Sequence, residues 1–236
     1  MNMSDRVLPP IFSDVPFKKV KIPDDLYSHM MDEYDVMEFT KVDDEIEWDP
    51  VVNEYCNGGI SVRGTNRPYT LRTDISPELY NHCYESITPL ISDWCGQNLE
   101  MTWGYGVRNY IRNSVLHLHR DRIETHIISV IIFVDQKSKK NWPLDFWDHD
   151  HNHHKVYFES GEMLFYESLC LHGRIEPFTG KYYRNMYFHW MPEDWDYEDY
   201  DLEDLKTAFR NPIEYKNYYD RETVNNKESR IIPRTR

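Results

Sequence analysis

Three residues in this chain of 236 could do chemistry together if the fold lets them meet: His119, Asp121 and His172. His119-Arg120-Asp121 sets an imidazole and a carboxylate two positions apart, and in a β-strand residues i and i+2 project to the same face. One tripeptide would then supply two metal ligands. His172 lies far downstream, just after the apolar run EMLFYES, and is the best candidate for a third. Two imidazoles and one carboxylate on a single face form the donor set of non-haem Fe(II) oxygenases, which leaves positions open for a co-substrate and O2. An HxD pair alone carries little weight among 11 His and 41 acidic residues. Its surroundings add to it. The sequence between the two histidines is β-like, Tyr110 precedes the triplet as a phenol for an anionic ligand, and Lys181 and Arg184 follow His172 as cations for a carboxylate.

The elements that must position these residues can be read from periodicity. From residue 99 onward, LEMTWGYGVRNYI, THIISVIIFVD, KVYFES, EMLFYES and KYYRNMYFHW are β-branched or aromatic runs separated by turns. Ahead of them, Leu26, Met30 and Tyr34 follow Asp24 and Asp25 at helical spacing. A second helix begins at Ser76-Pro77-Glu78 and stops near Gly96, with Leu79, Cys83, Ile87, Leu90, Ile91 and Trp94 on its apolar face and Pro89 as a candidate kink. The polar stretch 40–73 reads as an irregular excursion. The expected fold class is α+β, mainly β. It divides into a helical and irregular support region at 1–98, a β core at 99–192 and an acidic, then polar, extension at 193–236.

The order Tyr110, His119-Arg120-Asp121, His172-Gly173-Arg174, Pro177, Gly180-Lys181 resembles the 2-oxoglutarate and Fe(II)-dependent dioxygenases of the prolyl 4-hydroxylase-like branch. The resemblance covers about residues 99–192. It implies a double-stranded β-helix (jelly-roll) core with N-terminal flanking helices. It also implies Fe(II) on His119, Asp121 and His172, 2-oxoglutarate and O2 as co-substrates, and ascorbate as an admissible reductant. Tyr110 would contact the co-substrate and Lys181 would pair with its distal carboxylate. Strand parity favours Lys181 over Arg184 for that pairing. Lys181, Tyr183, Asn185, Tyr187 and His189 share one face, and Arg184 falls on the other. The implied reaction is hydroxylation of a residue, proline among the options, in a protein or peptide, with 2-oxoglutarate decarboxylated to succinate. Two alternatives stay open: the same chemistry on a free amino acid or small metabolite, and a non-catalytic jelly-roll binding protein.

Other features read more plainly. Asp148-His149-Asp150-His151-Asn152-His153-His154 suits an exposed hairpin better than a second metal site. His117 is a lesser rival ligand, His126 lies off the metal face, and Thr125 or Ser129 could offer the co-substrate a hydroxyl. Trp142 and Trp147 fit a substrate groove or ordinary packing equally. The acidic run at 193–204 suits a solvated face. Cys56, Cys83, Cys95 and Cys170 form no CxxC pair and read as reduced thiols. A formal net charge of -14 argues against nucleic acid and for a basic or neutral substrate. No apolar run is long enough for a membrane span, and no secretory pattern opens the chain, so a cytoplasmic location is expected.

Overall fold

The computed structural model describes residues 11–38, 40–43, 60–62, 69–150 and 152–196. Twelve strands and two helices run in the order β1 (Phe17–Lys21), α1 (Asp24–Tyr34), β2 (Thr40–Asp43), β3 (Ile60–Val62), β4 (Tyr69–Thr73), α2 (Pro77–Cys95), β5 (Leu99–Ile111), β6 (Ser114–His119), β7 (Ile128–Lys137), β8 (Leu144–Trp147), β9 (His153–Val156), β10 (Glu162–Glu167), β11 (His172–Arg174) and β12 (Tyr182–Pro192). They form a seven-stranded sheet, β1-β10-β7-β12-β5-β4-β2, and a five-stranded sheet, β3-β6-β11-β8-β9. All the pairings are antiparallel. The architecture is the double-stranded β-helix, with its strand-rich part starting at Leu99 and ending at Pro192.

Alternation along the central strands sorts residues into two cores. Val130, Ile132, Val134, Met163, Phe165, Met186, Phe188 and Trp190 face outward and join Leu26 and Met30 of α1 and Leu79, Cys83, Ile87 and Ile91 of α2. Ile131, Phe133, Leu164, Tyr166, Tyr110 and Tyr183 face inward and fill the space between the sheets. The helices therefore back the large sheet and stabilise it from outside, leaving the inner face for the site.

Local chemistry explains the helix ends. Ser76 Oγ accepts from Leu79 N at 3.0 Å, Pro77 opens α2, and Gly96 closes it at φ 68°, a left-handed conformation suited to glycine. Glu33 at the end of α1 clasps the same cap, accepting from Ser76 N at 2.6 Å and Ser76 Oγ at 2.7 Å. The helix runs unbroken through Pro89, and Leu90, expected on the apolar face, is exposed.

The stretch 40–73 departs from expectation. Its described parts are strands, β4 pairing with β5 and β2 with β4, while β3 pairs with β6. β2 and β3 are edge strands, which need only one paired neighbour and no two-sided apolar pattern, and β4 is only five residues long, so the sequence signal there is faint. Residues 44–59 and 63–68, including Cys56, and the extension beyond Asp196 lie outside the described residues. Cys83, Cys95 and Cys170 are buried free thiols, and burial pushes the Cys83 thiol up to about 12. No helix among the described residues is long and apolar enough to cross a membrane.

Candidate metal centre

β6 and β11 lie side by side in the smaller sheet with His119 directly opposite His172. Cross-strand partners hold their Cβ atoms about 5 Å apart, and the two imidazole centroids are 4.4 Å apart. The long sequence gap between them thus closes through a single strand pairing. Asp121 follows the end of β6, where its N–H donates to the Ser168 carbonyl at 3.0 Å. Arg120, between the two ligand candidates, turns away and donates to the Leu169 carbonyl, pinning the loop.

One carboxylate oxygen of Asp121, Oδ1, sits 3.6 Å from His119 Nε2 and 3.7 Å from His172 Nε2. Both separations are within the span of two metal–ligand bonds of about 2.1 Å. Among the described residues this is the one group of three such donors clustered closely enough for a metal ion. The donor set is chemically suited as well. Burial holds the His172 imidazole down to about 4, so it is neutral near pH 7. Its Nδ1–H donates to the Cys170 carbonyl at 2.9 Å, which leaves Nε2 bare toward the cluster. Two imidazoles and a carboxylate facing inward from one side match the Fe(II) facial arrangement.

The second oxygen of Asp121 is held by a residue that sequence reasoning missed. Tyr166 in β10 is fully buried and donates to Asp121 Oδ2 at 3.2 Å. Burial and the Asp121 charge hold its phenol well above the ordinary range, so it stays a proton donor. Tyr166→Phe should keep the packing but free Oδ2, weakening metal affinity by about 10–100-fold. Competition with a chelating dye measures this, and unchanged affinity would remove Tyr166 from the site. On the far side, His189 Nδ1 lies 3.8 Å from Oδ2 and 2.6 Å from Ser129 Oγ, and His189 stacks on His126 at 3.8 Å. Inward parity had pointed to His189 in β12, but no role had been attached to it. His126 and Ser129 brace His189, and Thr125 bonds to His126.

The inner face continues from the cluster into a layer of phenols. Tyr110 is fully buried, its hydroxyl 2.7 Å from that of Tyr187, and Asn185 Nδ2 donates to Tyr187 at 2.9 Å. Beyond them Arg174 lies wholly buried against Tyr183 and Trp142. Lys181 lies just before β12. β12 begins at Tyr182, and the turn before it brings Gly180 so close to Ser138 and Lys137 that a Cβ there would overlap both. Lys181 N–H donates to the Lys137 carbonyl at 2.7 Å, and the residue is exposed. The inward face of β12 therefore starts at Tyr183 and continues through Asn185, Tyr187 and His189. Arg184 points to the opposite side, stacking on Tyr182 at 4.0 Å and donating to Tyr34 of α1.

The His-rich stretch is the β8–β9 hairpin. Asp148 Oδ1 accepts from the N–H groups of Asp150 and Asn152, and His154 and His153 bond to Asp148 and Asp145. His151 and the His117 side chain lie outside the described residues. Trp142 and Trp147 are both buried, Trp142 between the sheets and Trp147 stacked on His153, so packing is their role. In the acidic run, Glu193, Asp194 and Asp196 are exposed, and Trp195 is tied to the Ile123 carbonyl at 2.8 Å.

No protein-family model and no curated protein sequence matches the chain. Solved structures do. AviO1 from Streptomyces viridochromogenes is 14% identical, with a TM-score of 0.56 over 78% of this chain and 93% of its own. A Pseudomonas putida prolyl-4-hydroxylase is 14% identical, with a TM-score of 0.50 over 76% of this chain and 94% of its own. HygX from Streptomyces hygroscopicus, with nickel, 2-oxoglutarate and hygromycin B bound, is 13% identical, with a TM-score of 0.52 over 83% of this chain and 96% of its own. At these identities the likeness is one of fold.

Proposed function

We propose that this chain is an Fe(II)- and 2-oxoglutarate-dependent dioxygenase that hydroxylates a residue, proline among the candidates, in a protein or peptide. The observation that carries the reading is the convergence of His119, Asp121 and His172 on one point inside a double-stranded β-helix. When bound, iron and 2-oxoglutarate supply O2 activation coupled to decarboxylation to succinate. The chain's own residues have separate tasks. His119, Asp121 and His172 hold the metal, Tyr166 fixes the carboxylate of Asp121, and Tyr110 offers its phenol to the co-substrate. The buried aromatic layer of Tyr110, Tyr166 and Tyr183 excludes water from the inner side. Ascorbate is the reductant to include in assays.

A ring-bearing substrate suits the outer side. Trp103 is 54% exposed and lies 6.1 Å from Tyr105, which lies 5.7 Å from His189 beside Asp121. These rings make an aromatic path from the surface to the metal cluster, and such faces hold flat or cyclic groups. The net charge of -14 favours a neutral or basic partner. The same path favours a second reading, a small cyclic metabolite as substrate, which the HygX structure with hygromycin B bound also supports. Succinate release from 2-oxoglutarate under O2, with Fe(II) and ascorbate, tests the function. Stimulation by proline-containing peptides supports the first reading, and stimulation by small cyclic compounds alone supports the second. Absence of any Fe(II)-dependent succinate would refute both.

A further inference from the structure

α1 meets α2 along one line of side chains. Asp25, His29 and Glu33 follow one another at intervals of four, so they fall on a single face of α1. Glu33 is engaged by the Ser76 cap of α2. One turn earlier, His29 Nδ1 lies 2.9 Å from His82 Nδ1 of α2, with ring centroids 5.2 Å apart and planes inclined by 34°. The first turn of α1 adds Asp25, whose Oδ2 accepts from His82 Nε2 at 3.3 Å.

This pair is arranged as metal ligands are. With its Nε2 proton committed to Asp25, His82 presents a bare Nδ1 to His29, the carboxylate–histidine pattern that orients a ligating imidazole. A proton between the two Nδ1 atoms can hold the pair, but only with His29 in the tautomer protonated at Nδ1. In the other tautomer both lone pairs face one point, and a cation satisfies them. The separation suits that cation. Two nitrogens bound at about 2.0–2.1 Å and at right angles lie about 2.9 Å apart, the cis relation of tetragonal Ni2+ and Cu(II) sites. Both histidines are half-buried and Asp25 is exposed, so water has access to complete the coordination. The net charge of -14 favours a cation at the surface.

We propose that His29 and His82 form a second divalent-metal site, of tetragonal Ni2+ or Cu(II) type, that clamps α1 to α2 on the back of the large sheet. The site stands apart from the β6–β11 centre and depends on neither iron nor 2-oxoglutarate. Asp25 is its positioning residue, holding the His82 proton on Nε2 so that Nδ1 faces the ion. Fe(II) binds nitrogen donors more weakly than Ni2+ and should fill this site last.

Ni2+ calorimetry in the His172→Ala background, which disables the β6–β11 centre, tests the assignment without turnover. That parent should take up one Ni2+ that His29→Gln and His82→Gln each remove. Wild type, with both centres intact, should likewise bind one ion more than His82→Gln alone. Asp25→Asn should keep the stoichiometry and weaken binding about 10–100-fold, since only the orientation of His82 is lost. Saturating Ni2+ should raise the thermal midpoint of the parent and leave that of the His82→Gln variant unchanged. Equal Ni2+ uptake in the parent and in both histidine variants would overturn the site. So would a parent that binds no ion, or one whose ion is lost in His153→Gln of the β8–β9 hairpin and kept in His82→Gln. Unchanged affinity in Asp25→Asn would overturn the positioning role, and an unchanged midpoint in the loaded parent would overturn the clamp.

Discussion

His172→Ala should retain the fold and lose both Fe(II) and activity. The imidazole supplies one of three inward donors, and its cross-strand partner His119 cannot replace it because each ring presents a single nitrogen to the cluster. Losing an outer partner of a ligand typically costs 10–100-fold in metal affinity, so losing a ligand itself should cost more than about 100-fold. Fe(II)-dependent succinate formation should then fall below detection. The backbone should be unaffected, since β11 is held by pairing on both sides, to β6 and to β8. Metal content after desalting and the far-ultraviolet spectrum measure the two halves of this expectation. A variant that keeps one equivalent of Fe(II) and turns over would remove His172 from the centre. Asp121→Ala should behave in the same way.

The largest effect on stability should come from the other side of the large sheet. Trp190 is fully buried in β12, paired with Ile128 and Met101, and its indole N–H donates to Thr88 Oγ1 of α2 at 3.0 Å. It joins the sheet that carries the site to the helix that backs it. Trp190→Ala removes a large buried surface and leaves a cavity and an unpaired hydroxyl, together worth about 3–5 kcal/mol. Against a typical total of about 5–15 kcal/mol, that leaves a marginal fold. Denaturant unfolding at fixed pH measures it, and a loss under about 1 kcal/mol would mean that α2 does not depend on this contact. Metal binding should decline only with the folded fraction, in contrast to His172→Ala.

The site was legible in the sequence where strand parity and spacing operate locally. His119 and Asp121 fall two apart, and their convergence needs only an extended backbone. His172 follows the apolar run that forms β10, and its own short strand β11 sets it opposite His119 through the β6–β11 register. Parity also sorted β12 correctly from Tyr183 onward, placing Asn185, Tyr187 and His189 inward. The alternation does not reach Lys181, which with Gly180 lies in the turn before the strand. The chain there is set by its tie to the end of β7, and that contact is invisible to a local pattern. Tyr166 stayed hidden for a related reason: EMLFYES shows two alternating faces, and only the sheet order says which one meets Asp121. The short strands β2, β3 and β4 carry too little apolar alternation to announce themselves, and they form because neighbouring strands offer unpaired backbone.

The central claim is that His119, Asp121 and His172 form a metal site whose remaining positions accept a 2-oxo acid. The most direct measurement is addition of 2-oxoglutarate to the purified protein with one equivalent of Fe(II), without O2, while the visible spectrum is recorded. A charge-transfer band that saturates with one 2-oxoglutarate per chain, and is missing from His172→Ala, is the expected result. Absence of the band in the wild-type protein at saturating Fe(II) and 2-oxoglutarate would contradict the claim.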